Sequence, residues 1–101
     1  MSKVALYVPL EAKPGKEKEL ADFLKSAVPL VNAEPGTVSL FAVQNGPSSF
    51  AIFDTFDDDS GRNAHLSGPV AAALMAKAGE LLAKPPSINK IDVLADKLPG
   101  K

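Results

Sequence analysis

The chain reads as strand, helix, strand, strand, helical region, strand, the ferredoxin-like βαββαβ order of an α+β fold. In that arrangement an antiparallel sheet carries its helices on one face. Three observations predict it. Four segments alternate with the two-residue period of a strand, two longer segments carry apolar residues at three- and four-residue spacing, and the middle strands are joined by a hairpin turn.

Lys3 to Glu11 is the first strand, with Val4, Leu6, Val8 and Leu10 on one face and Ala5, Tyr7 and Pro9 on the other. Both faces are largely apolar, which suits a strand covered on two sides. Pro9 donates nothing to a ladder and marks a bulge or an unpaired position near the strand end. Ala12-Lys13-Pro14-Gly15 is a turn. The next helix is expected from Lys16 to Val31, its stripe formed by Leu20, Phe23, Leu24, Ala27, Val28 and Val31. Lys16, Glu17, Lys18, Asp22 and Lys25 form its wet side, and Pro29 is expected to kink or end it. Glu34-Pro35-Gly36 is a turn signal.

Thr37 to Gln44 and Ser49 to Phe56 are the second and third strands, antiparallel neighbours joined by Asn45-Gly46-Pro47-Ser48. Phe50, Ile52, Asp54 and Phe56 alternate with Ala51, Phe53 and Thr55, so neither face is cleanly polar. Asp57-Asp58-Asp59 opens a short helix through Leu66, the acids capping free amides and complementing the dipole. Ser67 is expected to cap the next helix, Val70 to Ala83, with Pro69 in its first turn. Lys84-Pro85-Pro86 ends that helix. Ser87 to Ala95 is the fourth strand. Residues 1–95 thus form a single domain and 96–101 a tail.

The 101 residues suffice for one hydrophobic core, and a net charge of −1 without a basic cluster argues against nucleic acid or an anionic membrane as partner. The absence of cysteine excludes disulfides, thiolate catalysis and cysteine-ligated metals. With no signal-like segment and no apolar run of about 20 residues, a cytoplasmic location is expected. Two helices cover only one sheet face. The other, also apolar, calls for a partner chain.

Three stretches carry a family resemblance: EAKPGKEKELADFL (11–24), EPGT (34–37) and PSSFAIFDTFDDDSGRNAHLSGPVAAAL (47–74). With the first strand, they resemble the antibiotic biosynthesis monooxygenases, a family of dimeric α+β barrel proteins. The resemblance implies a homodimer whose sheets pack face to face. It also implies oxygenation of a small aromatic or quinol-type substrate with O2 and no cofactor, neither metal nor flavin, in a pocket between sheet and helices. Some relatives degrade haem. This chain has Leu74 where those carry a ligating histidine on the second long helix, and His65 stands at about the place of a tryptophan found in several relatives.

Carried over residue by residue, the pocket candidates are Tyr7, Phe53, Arg62 and His65, with Asn63 a further substrate contact. His65, the single histidine, is the candidate catalytic base, its ordinary pKa lying near neutrality. The competing reading is a helix-end histidine bonded to a carbonyl. Tyr7 either donates a catalytic hydrogen bond or packs at the sheet rim. Arg62 either holds a polar substrate group or pairs with Asp58 or Asp59. Phe53 is either a ligand platform or core. A non-catalytic dimer that binds a small apolar ligand is the alternative to the monooxygenase.

Overall fold

A computed structural model describes residues 2–99; Gly100 and Lys101 of the expected tail lie outside the described residues. The elements are β1 (Val4–Glu11), α1 (Glu17–Asn32), β2 (Thr37–Gln44), β3 (Ser49–Phe56), α2 (Asp59–Leu66), α3 (Pro69–Leu81) and β4 (Asn89–Asp92). The four strands form one antiparallel sheet in the order β2-β3-β1-β4, the ferredoxin-like topology.

The β1–β3 ladder runs the full length of both strands, from Val4 opposite Phe56 to Glu11 opposite Ser49. Its register puts Leu6, Val8 and Leu10 on the same face as Phe50, Ile52 and Phe56. There they pack with Leu20 and Leu24 of α1 and with Leu74 and Leu81 of α3. Truncating such a leucine costs about 2–5 kcal/mol, through lost burial and the void it leaves. A smaller cluster of Ala27, Val31 and Val70, with Leu40 against it, extends the core toward the end of α1.

No helix among the described residues covers the opposite face. Tyr7 faces Phe53 there, and Phe41 of β2 continues the row. Phe41 is 56% exposed and Tyr7 42%.

Local departures from the expected boundaries have physical causes. Pro29 does not end α1, which continues to Asn32, because its exposed position places the missing amide on the solvent side. The α3 helix stops at Leu81 rather than Ala83. There the chain turns extended and pairs with the end of β1, Lys13 N–H donating to Leu81 O and Ala83 N–H to Glu11 O. Ser67 caps no following helix. It ends α2, its hydroxyl donating to Asn63 O and Ala64 O, and Gly68 stands at the start of α3. The β4 strand is four residues long, although Val93 N–H still reaches Lys3 O. In the tail, Asp96 accepts a hydrogen bond from the Ser2 amide at 3.0 Å.

Candidate functional site

The third strand carries one charge into the core. Asp54 shares the inward face of β3 with Ile52 and Phe56, lies between Leu6 and Leu40 in register, and is 1% exposed. A buried carboxylate needs a partner, since desolvation without one costs several kcal/mol. The α2 helix supplies it. Asp58 caps that helix, its carboxylate accepting the Gly61 amide at 2.9 Å, and one further turn brings His65 over the sheet. His65 Nε2 lies 2.9 Å from Asp54 Oδ2, an ion-pair contact at hydrogen-bonding distance.

The other ring nitrogen meets a second carboxylate. His65 Nδ1 is 2.7 Å from Glu34 Oε1, and Thr37 Oγ1 donates to the same oxygen at 2.7 Å. Glu34 comes from the turn after α1, which approaches α2 at two glycines. A Cβ on Gly61 would lie 2.8 Å from Gly36 O, and one on Gly36 would lie 2.9 Å from Gly61 Cα. Only glycine at both positions lets the turn sit that close.

The imidazole is thus buried between two carboxylates, with the Phe56 ring centroid 5.5 Å away, within cation–π range. Burial pushes its pKa down. Hydrogen bonding and charge from Asp54 and then Glu34 outweigh that, and the net displacement is upward from 6.5. A carboxylate faces each ring nitrogen, so the site favours the protonated ring and leaves neither nitrogen for a substrate proton. Among the described residues, no group of His, Cys, Asp or Glu is placed to hold a metal ion.

Arg62 is committed as well. Its Nη1 donates to Ala5 O and to Ile91 O, both at 3.3 Å, and Nη2 donates to Asp59, the salt bridge within its own helix turn. It fastens α2 to the β1–β4 edge. Asn63, its neighbour on α2, is exposed. The sheet stands between Tyr7 with Phe53 on one face and His65 with Arg62 on the other, so the structure does not bring these four together.

A cavity of about 180 Å³ opens beside the triad, between the end of α1 and β2. Its walls are Val28, Val31 and Asn32, then Glu34 on the turn, then β2 from Thr37 to Leu40. Glu34 is the ionisable residue of that wall. Its second oxygen, Oε2, is buried with no hydrogen-bond partner among the described residues. Gly68 lies on one side of it, where an added Cβ would stand 3.5 Å away.

Glu34 and Asp54 were not among the residues singled out from the sequence. Asp54 had a signal: a charge in a row of core-facing residues needs a counter-charge, and the chain has a single histidine. Glu34 had none, because the turn brings it to His65 across 31 positions.

The comparisons agree with this fold. The profile of the antibiotic biosynthesis monooxygenase family matches residues 4–77, and the chain belongs to that family. A protein of unknown function from Nitrosomonas europaea is similar at 59% identity and a TM-score of 0.96, with 100% of this chain and 98% of that one covered. A candidate antibiotic biosynthesis monooxygenase from Chloroflexus aurantiacus shares the fold at 22% identity and a TM-score of 0.76, covering 98% and 100%. A Mycobacterium tuberculosis protein does so at 21% identity and a TM-score of 0.83, covering 94% and 98%. No curated protein matches the chain. No helix among the described residues is long and apolar enough to cross a membrane.

Proposed function

We propose that this chain is a monooxygenase that oxidises a single-ring aromatic of phenol or quinol type in the cavity between α1 and β2. The observation that carries the reading is the cavity itself, walled by Val28, Val31, Val38 and Leu40 together with Asn32, Thr37 and Ser39, and bordered by Glu34. A cavity of about 150 Å³ holds benzene, so one of about 180 Å³ has room for a single ring. An electron-rich quinol can itself reduce oxygen: it loses two hydrogens, one oxygen atom enters the ring, and the other leaves as water. No metal or flavin takes part in that balance.

Two copies would close their sheets against each other. Tyr7, Phe41, Val43 and Ile91 are exposed apolar residues of the uncovered face, and a face of that kind is an interaction surface. Tyr7 and Phe53 then serve the dimer rather than the cavity.

Oxygen uptake with a panel of single-ring quinols tests the activity. Saturable uptake in the wild type, lost on filling the cavity with Val28→Phe, is the expected result. Background uptake in both proteins with every quinol would rule the activity out for this class.

A further inference from the structure

We infer that the apolar groove between α3 and residues 83–86 is a binding site for a medium-chain aliphatic carboxylate, with Lys13 and Lys84 meeting its charged head. The groove is separate from the cavity between α1 and β2, and the two share no lining residue.

The groove holds about 410 Å³. Met75 and Ala78 of α3, with Leu82 just after it, supply one stretch of wall, and Pro85 and Pro86 supply another. Met75 is a large apolar side chain left 57% exposed. The two prolines carry no amide N–H, so a hydrocarbon laid against them strands no backbone donor. Gly79 lines the groove as well. Glycine inside a helix is less stable than alanine, and neither a positive φ nor close packing requires it here: an added Cβ would meet nothing within 4 Å. What the missing side chain leaves is open groove.

Charge complementarity selects the ligand's head group. The ionisable residues of the wall are Lys13 and Lys84, with no acid beside them, in a chain whose net charge is −1. Lys13 is held in place. Its Nζ donates to Gly79 O, whose usual helical donor, the Ala83 amide, is turned to Glu11 O instead. An ammonium has three donors, so two remain. The Lys84 side chain has no hydrogen bond or ion pair among the described residues. A neutral hydrocarbon would use the walls alone, and a small inorganic anion the lysines alone. An aliphatic monocarboxylate uses both. Benzene, with six carbons, occupies about 150 Å³, so this groove has room for a chain of about eight to ten carbons.

The test titrates the full chain with octanoate and with octan-1-ol, which match in length and differ in charge. Met75 is one of two methionines, so its labelled methyl group reports on the groove by NMR. In wild type that signal should shift saturably, and octanoate should bind more tightly than octan-1-ol by roughly threefold to tenfold, as two exposed ion pairs would contribute. Hexanoate should bind about fivefold to fifteenfold more weakly than octanoate, the loss of two buried methylenes. Lys84→Gln should reduce the preference for octanoate and leave octan-1-ol unaffected. Gly79→Leu replaces glycine with a good helix former, fills the groove and should abolish binding of both; Lys84→Gln keeps the test decisive if that variant folds poorly. Octanoate without saturable binding would overturn the inference, as would equal affinity for the two ligands in wild type. So would unchanged binding in Gly79→Leu or an unchanged preference in Lys84→Gln. A Met75 shift that depends on protein concentration alone would give the groove to a second copy of the chain and overturn it too.

Discussion

Asp54, His65 and Glu34 form one buried charge cluster, and the cost of disturbing it is set by which charge is left behind. Removing His65 strands Asp54 in the core. His65→Ala should therefore destabilise the fold by about 3–5 kcal/mol, the range for breaking a buried ion pair from one side, measurable by urea unfolding at pH 6. The difference should depend on pH in one direction. The folded pKa of His65 is raised above its ordinary 6.5, so its contribution is complete below 6.5 and is lost as pH rises through the folded value. Stability curves of wild type and His65→Ala should accordingly converge toward alkaline pH. From the sequence, His65 stood out because it is the single histidine, but its partners did not. A strand pattern shows which face Asp54 occupies and says nothing of which helix residue lies above it.

Within α2, Arg62 and His65 sit three positions apart and so point the same way, down onto the sheet. One fastens the helix to the β1–β4 edge and the other closes the triad. Contact with the Glu34 turn depends on Gly36 and Gly61. In an exposed helix, glycine to alanine gains about 1 kcal/mol. Here the added methyl would meet Gly36 O at 2.8 Å, backbone that cannot rotate away. Gly61→Ala should instead lose about 1–3 kcal/mol, as overpacking does, and should bring the His65 pKa down as Glu34 is pushed off. Thermal melts and a histidine titration read the two effects. Element order was legible in the sequence because periodicity and turn residues are local. The end of α3 was not, since pairing of Leu81 and Ala83 with the end of β1 is a tertiary choice. Ser67 departs from its expected role for a related reason: either helix can claim its hydroxyl, and α2 does.

For the whole molecule, the sheet divides two jobs that the sequence had merged. Its helix face carries the triad and the core; its open face carries Tyr7, Phe53 and Phe41. Alternation along β1 and β3 already places Asp54 opposite in face to Tyr7 and Phe53, but the pocket assignment, carried over from the family resemblance, set Tyr7 and Phe53 beside His65 and Arg62. If the open face joins two copies, wild type should sediment at twice the 10.5 kDa chain mass at micromolar concentration. Phe41→Glu, at an exposed position away from the core, should shift it to monomer with little loss of helicity. A wild-type monomer under those conditions would leave the face without its proposed partner.

The central claim is that His65 is buried between Asp54 and Glu34, which favour its protonated ring. A single histidine makes the measurement unambiguous: ring-nitrogen NMR of labelled protein through a pH titration. The expected result is a pKa above 6.5, both ring nitrogens protonated below it, and a fall in that pKa in Glu34→Gln and in Asp54→Asn. A pKa at or below 6.5, indifferent to both substitutions, would contradict it.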